Sequence, residues 1–157
     1  MPELHLTTVI YAPKPRVFDL ARCVSLHKRQ FDHHKIIPTT GKTSGLLDLR
    51  DYTMWTGKIG TKKRQFIIDI AAMDKHDFYR DEMRKDIFDS FSHEHFFKEI
   101  DNGTIMIDQI AYKLPNGFIG NLVNKSCAEK YIMLYLKERN DLIKEYAEGN
   151  NWRAILP

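Results

Sequence analysis

The chain has 157 residues, 43% of them hydrophobic and 29% charged, with a net charge of +3 and a sequence pI near 8.8. That length suits one domain, residues 1–157, with a sizeable core, and the composition is that of an ordinary soluble protein. The charge excess is too mild for a nucleic-acid footprint, and no apolar run approaches the ~20 residues that span a membrane.

Met1-Pro2-Glu3-Leu4-His5 lacks the basic start and apolar centre of an export signal, so a cytoplasmic location is expected. Cys23 and Cys127 are far apart and form no metal-type pair; reduced, packed thiols are expected rather than a disulfide. The densest basic stretch, Lys58 to Arg64 around Gly60, reads as a solvated hairpin tip rather than a phosphate-binding patch.

Leu4 to Tyr11 is rich in Thr, Val and Ile and reads as a strand. Ala12-Pro13-Lys14-Pro15 stops it, and Pro15 can open a short helix because its missing N–H costs nothing there. Val17, Phe18, Leu20 and Ala21 give that helix an apolar side. A second short helix is expected over Ser25 to Arg29, with Ser25 as its cap. His33-His34 falls in a polar connection and reads as solvated.

Lys35 to Thr43 is the second expected strand, broken at Gly41 and Gly45. Lys42-Thr43-Ser44-Gly45 lacks the glycine-rich run of a phosphate loop. Asp51 to Ile59 is the third strand; its Trp55 could line a ligand or fill the core. Thr61 to Met73 reads as a central strand with Phe66, Ile68, Ile70 and Ala72 inward and Gln65 and Asp69 outward. Asp74 to Met83 reads as a charged connection, with Phe78, Tyr79 and Met83 tucked under the sheet.

Ile87 to Ile100 and Thr104 to Lys113 form the clearest hairpin, since Asn102-Gly103 suits a two-residue type I′ turn. That turn would set Asp101 opposite Thr104, Phe97 opposite Asp108, His95 opposite Ile110 and His93 opposite Tyr112. The inner face would then carry Phe91, His93, His95, Phe97, Met106, Asp108, Ile110 and Tyr112.

Leu114-Pro115-Asn116-Gly117 breaks the chain before a long helix, Asn116 to Glu148, which Gly149-Asn150-Asn151 ends. Ile119, Val123, Cys127, Tyr131, Leu134, Glu138 and Leu142 fall on one stripe, widened by Leu122, Met133, Leu136 and Ile143. About thirty helical residues run ~45 Å, the length of a small domain. Because most of the preceding chain reads as strand, the economical packing is a curved sheet closing around this helix, with a hollow between them.

His93, His95 and Asp108 carry the chemistry most worth weighing. The expected register sets Asp108 one diagonal from His95, within reach across a strand pair. A carboxylate there can orient an imidazole and raise its pKa. The trio fits a buried polar network, polar contacts that orient a ligand, an acid/base pair, or two imidazoles and a carboxylate on a metal. No third histidine or cysteine is placed beside them, so no metal is assigned, and nothing implies a cofactor.

Several segments together resemble one superfamily. They are Ala12-Pro13 before Val17-Phe18-Asp19-Leu20, Ser25-Leu26-His27, and Met54-Trp55, then Phe78 to Met83, Phe91 to Phe97, and Gly103-Thr104 through Met106 and Asp108 to Tyr112. Pro115, Gly117, Gly120, Tyr131 and Arg139-Asn140 complete the series over nearly the whole chain. In order and spacing they resemble the START-like, helix-grip (SRPBCC) superfamily, which includes birch-pollen-allergen-type proteins and polyketide cyclases, and most of all its small bacterial ligand-binding branch. Asp74-Lys75-His76 departs from the pattern, which would have a proline there.

The resemblance implies an α+β helix-grip fold, with an antiparallel curved sheet wrapped on a long C-terminal helix and two short helices after the first strand. It also implies a cavity for a hydrophobic small molecule such as a lipid or polyketide, with Trp55, Phe91, His93, His95, Asp108, Tyr112 and Tyr131 as its expected ligand-binding residues. A cyclase or dehydratase using His93 or His95 as general acid/base is the enzymatic alternative. A partner-binding module without a cavity is the third. Neither nucleic acid nor stable membrane insertion is expected.

Overall fold

A computed structural model describes residues 1–59, 61–84, 88–115 and 122–157. In chain order the elements are β1 (Glu3–Ile10), α1 (Lys14–Ala21), α2 (Val24–Phe31), β2 (Ile37–Gly41), β3 (Tyr52–Ile59), β4 (Lys62–Asp74), β5 (Phe78–Arg84), β6 (Ser90–Ile100), β7 (Gly103–Lys113) and α3 (Leu122–Glu148). Short 3-10 turns stand at Asp32–His34 and Asn151–Ala154. The strands form one antiparallel seven-stranded sheet in the order β1-β7-β6-β5-β4-β3-β2. The first strand thus pairs with the last, and the inner face of the sheet packs against α1, α2 and α3.

α1 begins as expected, with proline in its first turn, and buries Val17, Phe18, Leu20 and Ala21. Phe18 meets Tyr79 and Phe97 edge-on at 5.7 and 5.2 Å, which locks α1 against β5 and β6. Fully burying one such side chain contributes about 1.5–3 kcal/mol. No described helix is long and apolar enough to cross a membrane. Cys23 is buried, as expected of a packed thiol; Cys127 is exposed instead.

Residues 78–84 are strand β5 rather than a connection. Its charges obscured the pattern: Arg80 and Glu82 lie on one face, while Tyr79, Asp81 and Met83 share the inner one. In β4 the inward set holds at Phe66, Ile68 and Ile70. The register then shifts between Ile70 and Ala72, so Met73, not Ala72, packs against the core. A bulge adds one residue, and one residue reverses a strand's faces.

The β6–β7 hairpin also turns elsewhere than expected. Ile100 pairs with Gly103, so Asp101 and Asn102 form the turn and only Asn102 of the two takes positive φ, at 61°. His95 therefore opposes Asp108, and His93 opposes Ile110. A shift of two residues preserves the faces, and all eight expected inner residues are buried. Gly103 answers a different need: a Cβ there would sit 2.6 Å from the Ile10 carbonyl oxygen, where β1 ends against the hairpin.

The apolar stripe expected on the last helix is rotated from the true one. Tyr131 and Leu134 are 51% and 58% exposed, and Cys127 and Glu138 also face outward. The buried stripe is Ile132, Leu136, Arg139, Asn140, Ile143, Tyr146 and Ala147. Two polar residues sit at its centre, and a search for apolar periodicity passes over them. Gly60, Ile87, Asn116, Gly117, Ile119 and Gly120, and the side chains of Leu122 and Val123, lie outside the described residues.

Candidate functional site

Strand alternation brings Tyr79 and Asp81 of β5, His93 and His95 of β6, and Asp108 of β7 to one inner patch, which α3 covers with Arg139 and Asn140. Asp108 Oδ1 lies 2.7 Å from His93 Nε2 and 3.1 Å from His95 Nδ1. Its Oδ2 accepts from Asn140 Nδ2 at 2.6 Å, which also reaches Thr8 Oγ1 of β1 at 3.0 Å. The other side of His95 meets Asp81, Nε2 to Oδ2, at 2.7 Å.

Arg139 donates to Asn140 Oδ1 (2.8 Å), Tyr79 Oη (3.0 Å) and the Ala21 carbonyl (3.3 Å), and stands 3.4 Å from Asp108. Ala21 is the last residue of α1, where carbonyls lack helical partners. Its oxygen also accepts from Tyr79 Oη at 2.9 Å and faces His27 Nε2 at 2.7 Å. One helix terminus thus gathers a phenol, an imidazole and a guanidinium.

Burial works to raise the Asp108 carboxyl, but hydrogen bonds from His93 and His95 and the Arg139 charge outweigh it and hold it well below the usual range. Asp81 behaves likewise: burial opposes its charge, and the His95 bond with the Arg139 charge keeps it low. Burial first, then the neighbouring His95, pulls His93 down to about 4. Burial and Arg139 bring His27 to about 4 as well. Both imidazoles are therefore neutral at pH 7. His93 Nε2–H donates to Asp108, and His27 Nε2–H donates to Ala21, because a carbonyl can only accept.

Two cavities of about 40 Å³ each lie between the sheet and α3. One is apolar and includes Phe66, Phe88, Phe91 and Tyr131 in its wall; the other is bordered by Trp55, His27, Tyr79, Asp81 and Arg139. Phe31, Ile68 and Tyr135 belong to both walls, with the Phe31 and Tyr135 rings stacked at 5.9 Å. Each void has room for a few waters.

Of the expected site residues, Trp55 borders the polar cavity, and Phe91 and Tyr131 the apolar one. His93, His95 and Asp108 form the network behind them, in neither wall. Tyr112 is fully buried against Phe88, its hydroxyl without a partner among the described residues. Sequence reasoning did not single out Asp81, Tyr79, His27, Arg139 or Asn140 as site residues. The available signals were the alternation of Tyr79, Asp81 and Met83, and an Arg-Asn pair inside an otherwise apolar helical stripe.

Asp81, His93 and His95 each offer a donor atom within 4.8 Å of the others and could hold a metal. Arg139 Nη2, 3.2 Å from His95 Nδ1, would set a fixed cation beside any such ion.

No family model and no curated protein matches the sequence. Solved structures do match it. TTHA0849 from Thermus thermophilus superposes with a TM-score of 0.68 at 19% identity, over 90% of this chain and 97% of that one. The shared architecture is the helix-grip fold, an antiparallel sheet packed on a long C-terminal helix. Ginseng major latex-like protein 151 from Panax ginseng matches at a TM-score of 0.65 and 12% identity, over 94% and 98% of the two chains. The di-domain ARO/CYC BexL from the BE-7585A biosynthetic pathway matches at 0.67 and 12%, over 95% of this chain and 50% of BexL.

Proposed function

We propose that the protein binds a hydrophobic small molecule, a lipid, polyketide or similar, between the sheet and α3. The observation that carries this reading is the pair of cavities beneath α3, which share Phe31, Ile68 and Tyr135 in their walls. Sites for drug-sized ligands usually enclose ~300–1,000 Å³, so a ligand enters by pushing apart the walls of both cavities, the shared one included. Phe31 ends α2 beside an exposed turn in which Lys35 takes a left-handed conformation, φ 52°, and its ring borders both cavities. Phe91, Tyr131 and Trp55 then contact the apolar body, while His93, His95 and Asp108 orient the polar wall from behind.

The fold shared with BexL supports a second, catalytic reading, a cyclase or dehydratase. Its acid/base would act through Asp81, the network carboxylate that borders a cavity, with His95 bonded behind it. Native mass spectrometry of the purified chain, alone and with dodecanol, tests binding. A one-to-one adduct with a rise in melting temperature is the expected result; no adduct and an unchanged melting temperature would favour a purely structural interior.

A further inference from the structure

Two guanidinia, Arg22 and Arg139, border the polar cavity together with the Asp81 carboxylate, and both guanidinia are already engaged. Arg22 is bonded to Asp19 and Asp48, and Arg139 faces Asp108 and Asp81 across the network. Asp19, Asp48 and Asp108 engage these guanidinia from outside the cavity wall, and Asp81 is the carboxylate that borders the space. His27 adds no charge, because burial and Arg139 hold its pKa near 4. Asp81 Oδ2 faces His95, but among the described residues no donor lies within hydrogen-bonding distance of Oδ1. Asp81 is therefore a carboxylate at a cavity wall, its side chain 14% exposed.

Aromatic rings enclose the same space: Trp55, Phe31, Tyr79 and Tyr135 border it with Asp81. Aromatic rings attract cations, and rings beside a carboxylate suit an organic ammonium. About 40 Å³ admits an ammonium head and no more of a ligand. Past Phe31 and Tyr135 lies the apolar cavity, which suits a hydrocarbon body. A fatty acid entering head first would set a second carboxylate against Asp81, a like-charge contact.

Resting on the ligand-binding reading above, we propose that the ligand is an amphiphilic amine. Its ammonium sits on Asp81 within the aromatic walls, and its apolar body runs past Phe31 toward Phe66 and Phe91.

The test titrates dodecylamine, dodecanol and dodecanoate into the full chain by calorimetry, each below its micellar concentration. Dodecylamine should bind at least ~10-fold more tightly than dodecanoate, with dodecanol between them. Asp81→Asn should bring dodecylamine down to the affinity of dodecanol while leaving dodecanol itself unchanged. The order among the three probes on the unaltered chain stands even if that variant folds poorly. Dodecanoate binding as tightly as dodecylamine, or an amine preference that survives Asp81→Asn, would overturn the amine assignment and leave the interior site intact. Failure of all three to bind would overturn the ligand-binding reading and the amine with it.

Discussion

Asp108 and His95 face each other directly across the β6–β7 ladder, Oδ1 lying 3.1 Å from Nδ1, and the same oxygen accepts from His93 at 2.7 Å. Two strands and α3 meet at that carboxylate, because Asn140 and Arg139 close on it from above. Breaking a buried charge pair costs more than the pair contributes, since the partner is left charged and dry.

Asp108→Ala should therefore destabilise the protein by about 3–5 kcal/mol, chiefly by leaving Arg139 unpaired. Adding Arg139→Met should recover part of that loss, because the orphaned charge is gone. Urea unfolding of both variants checks this. Equal or greater destabilisation in the double variant would show that Arg139 gains its stability elsewhere.

The pH dependence follows from the neutral imidazoles. His93 and His27 titrate near 4 in the fold against 6.5 when exposed, so between those values the unfolded chain binds the extra protons. Stability is then full above pH 6.5 and falls as pH drops toward 4, each imidazole accounting for on the order of 3 kcal/mol. The depressed carboxyls of Asp108 and Asp81 add a further loss at still lower pH. Melting temperature against pH should be flat from 8 to 7 and decline below 6.5, with a shallower decline in His93→Gln. A rise on acidification from 6.5 to 5 would mean that the folded state holds these imidazoles charged.

Much of this was readable in advance, for identifiable reasons. The inner face of the hairpin followed from period-two alternation, and a two-residue shift in the turn could not disturb it. Its register did not follow: Asn102-Gly103 satisfies a type I′ turn on paper, whereas Gly103 answers close contact with Ile10. Asp81 was hidden by Arg80 and Glu82, which made a strand look like a charged loop. Arg139 and Asn140 were hidden because apolar periodicity has no place for polar residues on a core stripe, although Asp108 needs both there. The wall that the two cavities share includes the Phe31–Tyr135 stack, a contact between distant parts of the chain that no local pattern reports.

Gly103→Ala tests the reassigned turn. The added methyl would strike the Ile10 carbonyl at 2.6 Å, and overpacking of this kind costs about 1–3 kcal/mol. Asn102→Gly should be nearly neutral, because glycine accepts the positive φ that Asn102 already has. Thermal unfolding of the two variants gives the comparison. The reverse order would place the demanding turn position at 102.

Phe31→Ala removes a ring that borders both cavities. It should destabilise the apo protein by about 3–5 kcal/mol, as large truncations in a core do. It should also tighten binding of an apolar probe such as dodecanol, because the enlarged space no longer requires the ring to move. Weaker probe binding in this variant would make Phe31 a contact of the ligand rather than a barrier to it.

The most direct test of an interior ligand site is a methyl NMR titration of the full chain with dodecanol. Ile68, Met83 and Ile132 border the apolar cavity, whereas Met133 and Leu134 border a surface groove between β1 and α3. Saturable shifts at Ile68, Met83 and Ile132, with Met133 and Leu134 unchanged, are the expected result. Shifts confined to Met133 and Leu134, or none at any of the five, would contradict a ligand between sheet and helix.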